Sequence, residues 1–378
     1  MANRDDAAKP LLLYLVTEDW AFCSHRLPTA QAAVDAGYRV GVLARVAQHG
    51  AAITALGYTL YPLAWARRSL NPLLALRDLW QIAGLYRSLK PHLVHHVALK
   101  AVLLGGLAAR FAPVSHQIAA VNGVGFIFTD EGLKARLLRL AFVPLLRFVL
   151  RRTSVQVWFQ NEDDRALFLK LGIIRPEQTA LLRGSGVDTD KLQPLPEPPL
   201  PVTCAYAGRM LQSKGIDVLV AAQQACRAKG VELNLLLAGQ PDDNPTSFSA
   251  AQLADWAKLP GVSYLGQVAN IADLWARAHI AVLPCRVREG LPKTLLDAAA
   301  CGRPLVASDL AGVREIARAE NALLVPPDNV AALAGALQKL AEDAVLRARL
   351  GVASRDLVMG EMAASAIRSQ ACGIYRRN

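Results

Sequence analysis

A chain of 378 residues exceeds what one hydrophobic core ordinarily supports and fits two domains of similar size. With 53% hydrophobic and 19% charged residues, it is too apolar for a disordered chain. Most of the net charge of +11 lies in the first half, where residues 1–185 hold 22 Lys and Arg against 12 Asp and Glu while residues 186–378 hold 20 against 19; unless the surface is merely basic, the first half faces a nucleic acid, a membrane surface or a phosphorylated acceptor.

Met1 to Pro10 is polar where a secretion signal needs an apolar core, and Arg or Lys interrupts every run before the roughly 18–20 apolar residues of a spanning helix. The expectation is a cytoplasmic chain, peripheral on the inner face of the cytoplasmic membrane if it meets one. Leu11–Val16 is an apolar run between Pro10 and Thr17-Glu18-Asp19, which predicts a buried parallel strand. A helix is predicted next, capped by Ser24, with Pro28 in its first turn and Gly37 at its end. Strands follow at 39–44, 59–63, 93–97 and 117–121, with helices over 71–89 and 99–111. Such alternation predicts a parallel sheet covered on both faces.

Lys134 to Arg152 is basic and strongly apolar, and a helical wheel places Arg136, Arg139, Arg147 and Arg151 in one arc. This fits a helix lying on anionic lipid, or equally a buried crossover helix with a basic edge. Residues 193–201 contain five prolines and read as a linker, since they form neither helix interior nor central strand. Strands are then predicted at 202–208, 233–239, 262–266, 280–284, 305–308 and 322–325, and helices at 215–229, 249–257, 270–278, 292–301, 312–317 and 329–341. The fold class is α/β, with domains at 1–192 and 202–355 and a closing helical segment, 356–378, free to cross back to the first domain.

Two segments of the second half carry chemistry. Gly208-Arg209 and Lys214-Gly215 follow a predicted strand and place two cations where open parallel sheets bind ligands, suited to a diphosphate. Glu289-Gly290-Leu291-Pro292 leads into a helix bearing Asp297, so that a helix N-terminus and carboxylates meet at a second strand end. Taken singly, each segment is also compatible with ordinary solvated charge. In the first half Ser24, His25 and Arg26 are expected at a helix N-terminus open to phosphate, and His96 and Asn122 at strand ends. His25 is otherwise a surface residue, and His95 a packed one.

Together these segments resemble the family 4 retaining glycosyltransferases of GT-B fold, two Rossmann-like domains with a catalytic cleft between them. The similarity rests on Gly208-Arg209, Lys214-Gly215, Glu289-Gly290-Leu291-Pro292, Asp297 and Gly302-Arg303-Pro304-Leu305-Val306. It implies that Arg209 and Lys214 hold the diphosphate of a nucleotide sugar, that Glu289 contacts the donor sugar and that Asp297, in place of the usual Glu, meets the ribose. Glu18 to Pro28, Val94 to Lys100 and Val121 to Gly125 resemble bacterial members that act on polyprenyl-diphosphate-linked sugars. That resemblance implies a UDP-sugar donor, with a UDP-N-acetylhexosamine among the candidates, retention of configuration and a lipid-linked acceptor. A sugar-nucleotide 2-epimerase of the same fold, and a transferase with a soluble acceptor, are the alternatives.

No metal or other cofactor is expected. The six cysteines are scattered, with no Cys-x-x-Cys or nearby His at zinc-ligand spacing, and Asp188-Thr189-Asp190 reads as a turn. Gly123-x-Gly125 lacks the third glycine of a dinucleotide fingerprint. Nucleic acid is not an expected partner, because the basic stretches lack interleaved aromatic residues.

Overall fold

The computed structural model describes residues 9–65, 71–129 and 132–377, so the polar N-terminus up to residue 8 lies outside the described residues. Two compact units are present: Met1–Ser185 with Ser365–Asn378, and Gly186–Ala364.

The first unit runs β1 Leu11–Glu18, α1 Asp19–His25, α2 Leu27–Asp35, β2 Arg39–Arg45, α3 Gly50–Ala55, β3 Thr59–Pro62, α4 Pro72–Leu89, β4 Leu93–Val97, α5 Leu99–Ala108, β5 His116–Val121, α6 Phe126–Thr129, α7 Leu133–Leu150, β6 Val155–Phe159, α8 Glu162–Lys170 and β7 Thr179–Leu181. The second runs β8 Val202–Ala207, α9 Ile216–Ala228, β9 Leu233–Ala238, α10 Ala250–Trp256, β10 Val262–Gly266, α11 Ile271–Trp275, β11 Ile280–Leu283, α12 Lys293–Ala300, β12 Leu305–Ser308, β13 Ala322–Val325, α13 Val330–Glu342 and α14 Ala344–Met359; α15, Ala364–Tyr375, completes the first unit.

Both sheets are parallel, in the orders β3-β2-β1-β4-β5-β6-β7 and β10-β9-β8-β11-β12-β13. Each is a Rossmann-like, doubly wound sheet whose strand order reverses once, between β1 and β4 or between β8 and β11, and ligands bind beyond the carboxyl ends of strands at such a reversal. Alternate residues of β1 serve opposite faces of the first sheet. Leu12, Tyr14 and Val16 join a core with α2 and with Ile367, Ala371, Ile374 and Tyr375 of α15. Leu11, Leu13 and Leu15 pack under α4 and α5.

Several expectations change. β6 and β7 were not predicted: β7 has three residues, and Gln156 breaks the apolar run of β6. The first helix begins at Asp19, so Ser24 lies inside α1 rather than capping it, and the chain breaks at Arg26 before α2. Residues 312–317 form turns, not a helix, around Gly312 at φ +77°. The segment 356–378 is not one helix but the end of α14 followed by α15.

The proline stretch is packed onto the second unit rather than set apart as a linker. It supplies acceptors to buried arginines that need them: Arg303 Nη2 donates to the Pro196 backbone carbonyl at 2.8 Å, while Arg347 meets the Glu197 side-chain carboxylate at 2.9 and 3.1 Å. The Leu195 amide also donates to the Cys301 carbonyl at 3.1 Å. The division between units accordingly falls at Ser185/Gly186 and not at 192.

Asp19 pins the carboxyl edge of the first sheet. Its buried carboxylate accepts the amide of Trp20 at 2.8 Å and the successive amides of Ala47, Gln48 and His49 at 2.8, 3.0 and 2.7 Å. Burial opposes ionisation, but the four backbone donors outweigh it and hold the carboxyl below its ordinary value. Because the folded pKa is depressed, this stabilisation is complete above the unfolded value of about 4 and is lost as pH falls through the folded one. Asp19→Asn is expected to lower stability by about 1.5–3 kcal/mol at pH 7, as for hydrogen bonds to a charged group. In urea titrations the gap between the two proteins should close below pH ~4; a gap independent of pH would contradict this role.

Candidate active site

The second unit brings its two motif segments together at the β8/β11 reversal. After β8, the Gly208 amide donates to the Ala238 carbonyl at 2.9 Å, and a Cβ at Gly239 would lie 1.8 Å from the Gly208 carbonyl oxygen. Only glycine allows these strand ends to approach so closely. Arg209 projects into solvent and is held by Asp242 of the loop after β9, Nη1 to Oδ2 at 3.1 Å. Lys214 closes a 3-10 turn, Gln212–Lys214, and Gly215 caps α9 in the left-handed region at φ +67°. A Cβ at Gly215 would lie 2.0 Å from the Pro284 carbonyl oxygen, so glycine is what lets this loop reach the segment after β11.

The result is a contact across 75 positions of sequence: Lys214 Nζ stands 2.5 Å from Glu289 Oε1, both side chains mostly buried. The Glu289 amide donates to the Ala311 carbonyl at 3.1 Å, and a Cβ at Gly312 would lie 2.1 Å from the Glu289 carbonyl oxygen. Arg286 braces the arrangement. It pairs with both Asp217 oxygens at 2.8 Å, with Asp328 at 2.8 Å and with the Gln212 carbonyl at 2.7 Å, while its amide donates to Ser213 at 2.8 Å.

Gly290 and Leu291 lie between Glu289 and the start of α12, where Pro292 is the N-cap, one place earlier than the helical position expected of it. Asp297 is therefore little more than one turn into α12. It is buried, which raises its pKa, and is paired with Lys293 Nζ at 3.0 Å. The hydroxyl of Thr294, in the first turn of α12, is buried without a hydrogen-bond partner. Asp242, Arg286 and Thr294 were not identified from sequence, because their significance lies in partners far along the chain or in the lack of one.

In the first unit the predicted residues part company. Ser24 is exposed, and His25 ends α1, with its ring 6.2 Å from that of Trp20; both precede the α2 N-terminus, which falls at Arg26. Arg26 is 3% exposed and donates to Asn122 Oδ1 at 2.6 Å; Gln160 Nε2 donates to the same oxygen at 3.3 Å. Arg26, Thr29, Asn122, Trp158, Gln160 and Gly184 line one small pocket. Burial lowers the Arg26 pKa, and its Nε has no partner. A buried guanidinium held by a single neutral amide is arranged to accept an anion.

His96 is a correction. It is 1% exposed, its Nε2 lies 3.0 Å from the Tyr86 hydroxyl, and burial pushes it down to about 3. Gly105 of α5 packs against its ring, which makes it a core residue. His95 is also buried, 2.9 Å from the Tyr375 hydroxyl.

Two arginines of the predicted lipid-facing arc are engaged elsewhere. Arg139 Nε donates to the Ile127 carbonyl at 2.6 Å, and Arg147 donates to the Leu171 carbonyl at the end of α8. Free carbonyls at helix ends accept hydrogen bonds from guanidinium groups. Arg136 and Arg151 are exposed. Among the described residues, no group of three or more His, Cys, Asp or Glu side chains is gathered as for a metal ion, and no helix is long and apolar enough to cross a membrane.

Comparison with known proteins agrees with this architecture. The family described as "Glycosyl transferases group 1" matches residues 201–343, and "Glycosyl transferase 4-like" matches residues 12–161. The chain is 28% identical over 338 residues to the N,N'-diacetylbacillosaminyl-diphospho-undecaprenol alpha-1,3-N-acetylgalactosaminyltransferase of Campylobacter jejuni, covering 86% of this chain and 88% of that one. In structure it is similar to a sucrose-phosphate synthase from Thermosynechococcus elongatus, with a TM-score of 0.79 at 19% identity over 98% and 99% of the two chains. HepE of Anabaena, solved with UDP and glucose, gives a TM-score of 0.77 at 16% identity over 97% and 99%. With a 4-like first half, a group 1 second half and two Rossmann-like sheets, the chain belongs to the glycosyltransferases of GT-B fold.

Proposed function

We propose that this glycosyltransferase moves a sugar, with retention, from a nucleotide sugar to a polyprenyl-diphosphate-linked sugar during synthesis of a cell-surface glycan. The observation that carries the reading is the convergence of Arg209, Lys214 and Glu289 at the β8/β11 reversal, with Lys214 2.5 Å from Glu289. Such a site offers cations for a diphosphate beside a carboxylate for sugar hydroxyls. The Campylobacter relative, whose name specifies an undecaprenyl-diphosphate-linked acceptor and an N-acetylgalactosaminyl group, supports a UDP-N-acetylhexosamine donor and a lipid-linked acceptor.

In the proposed reaction the bond from the sugar C1 to the diphosphate oxygen breaks while the acceptor oxygen bonds to C1 on the same face. The acceptor proton passes to the leaving diphosphate. Arg209, Lys214 and the α12 N-terminus stabilise the charge growing on that group, and no metal is needed for it. Glu289, tethered by Lys214, holds sugar hydroxyls rather than attacking C1. Asp297 is assigned to the ribose hydroxyls, which requires Lys293 to release it. In the first unit, the Arg26 pocket is assigned to an acceptor phosphate, with Asn122 and Gln160 orienting the guanidinium and Ser24 and His25 at its approach. The enzyme works peripherally, on the anionic inner face of the cytoplasmic membrane.

Incubation with UDP, GDP and TDP sugars and a lipid-linked acceptor tests the reaction class. Release of nucleoside diphosphate that depends on the acceptor is expected; interconversion of two nucleotide sugars without an acceptor would identify an epimerase instead. Lys214→Ala and Arg209→Ala should each reduce turnover by about 100-fold or more with little change in melting temperature, given the ~3–4 kcal/mol that one preorganised charge-stabilising group supplies. Near-normal turnover in both would remove the diphosphate assignment. Arg26→Gln should raise the KM for the lipid-linked acceptor about tenfold or more and leave donor binding unchanged, as expected when a charged hydrogen bond worth ~1.5–3 kcal/mol is lost. An unchanged acceptor KM would place the phosphate elsewhere.

A further inference from the structure

An exposed apolar row runs along α7, and a second runs along the first half of α4. On α7, Leu133, Leu137 and Leu140 are 73, 59 and 73% exposed and Phe148 is 54% exposed, with exposed Pro144 between them at helical spacing. On α4, Leu73, Leu76 and Trp80 are 75, 51 and 49% exposed. Both helices pack against α5 on the same face of the sheet, and the chain after α5 links their exposed rows. Phe111, 47% exposed, packs against Trp80 with the rings tilted by 38° and their centroids 5.3 Å apart, and the Arg110 guanidinium lies 4.0 Å from the centroid of Phe148. Arg87 completes the seam, donating to the Phe111 carbonyl at 2.7 Å with its guanidinium 5.9 Å from the Trp80 ring.

Solvated helices ordinarily turn charge outward, and a patch of this kind marks a binding surface. Its charge identifies the occupant. From residue 71 to residue 161 the described residues include one carboxylate, that of Asp78, which is 1% exposed and faces Lys100 and Arg77; Asp130 and Glu131 lie outside the described residues. Arg87, Arg110, Arg136 and Arg151 are exposed on or beside the apolar rows. Exposed Leu, Phe and Trp bordered by arginine and lacking acid fit the boundary between acyl chains and anionic headgroups.

We propose that α4, the Arg110-Phe111 segment and α7 form one lipid-binding face, in which leucine and aromatic side chains enter the bilayer and arginines meet headgroup phosphates. The inference rests on the membrane reading above but relocates the contact, from an arginine arc on α7 to a two-helix apolar surface that includes α4. In both helices the first turns follow strands β3 and β5, so the rows begin toward the carboxyl edge of the sheet, on the side of Asn122 and the Arg26 pocket.

The test is co-sedimentation of the full chain with vesicles of phosphatidylglycerol and phosphatidylcholine, or of phosphatidylcholine alone. The native chain should prefer the anionic vesicles. Leu73→Ser plus Trp80→Ser, and separately Leu137→Ser plus Leu140→Ser, should each reduce partitioning about tenfold or more, since burying one Leu is worth about a decade in affinity. Trp80→Phe should retain binding and lose part of the fluorescence quenching by brominated lipid. All these sites are solvent-exposed, and unchanged circular dichroism with retained turnover of a short-chain acceptor would confirm intact proteins. Binding by the native chain that survives both double substitutions would overturn this face while leaving the membrane reading standing. No binding to either vesicle would overturn both, and a dimer in sedimentation equilibrium that either double variant dissolves would identify a protein interface instead.

Discussion

The ion pair between Lys214 and Glu289 depends on backbone approaches that no side chain would allow. A Cβ at Gly215 would meet the Pro284 carbonyl oxygen at 2.0 Å and one at Gly312 would meet the Glu289 carbonyl oxygen at 2.1 Å, so three loops close on one another only through glycine. Arg286 ties the same loops by hydrogen bonds to Asp217, Asp328 and Gln212, two of them charged pairs. Preorganisation of this kind keeps the cations in place without further reorganisation when charge develops on a leaving diphosphate. Both cations are held by carboxylates, Arg209 by Asp242 and Lys214 by Glu289, so a bound diphosphate competes with partners already in position.

The first unit handles charge differently. Asp19 is satisfied by four backbone amides, whereas Arg26 is buried among neutral side chains and aromatic surface. An anionic ligand would supply the missing counter-charge, which is the physical ground for assigning that pocket to a phosphate. The same unit carries a net charge of +13 against −2 for the second, and its arginines divide between those held by backbone carbonyls, as for Arg139 and Arg147, and those exposed beside apolar side chains, as for Arg110 and Arg151.

Local pattern made much of this legible. Apolar runs located every strand of the two sheets except β6 and β7 to within a residue or two, because a parallel strand buried on both faces is continuously apolar. Gly208-Arg209, Lys214-Gly215 and Glu289-Gly290 could be placed after strands for the same reason, but their convergence depends on β8 and β11 being neighbours, which sequence order conceals. Histidine in a run such as Val94-His95-His96-Val97 has no local sign of burial; the missing Cβ of Gly105, nine positions on, is what seats His96 in the core. A helical wheel likewise shows which arginines share an arc but not which carbonyls await them. On α7, Arg139 is held by the Ile127 carbonyl and Arg147 by the Leu171 carbonyl, partners that a helical wheel does not contain.

In the proposed reaction the loops at the β8/β11 reversal recognise a nucleoside diphosphate through Arg209 and Lys214. Calorimetric titration of the native chain with a nucleoside diphosphate and with the corresponding monophosphate tests it most directly. The diphosphate should bind at least about tenfold more tightly, a margin of ~1.4 kcal/mol, and the margin should vanish in the Arg209→Ala, Lys214→Ala double variant while monophosphate binding persists. Equal affinity for the two nucleotides in the native chain, or an undiminished margin in the double variant, would contradict it.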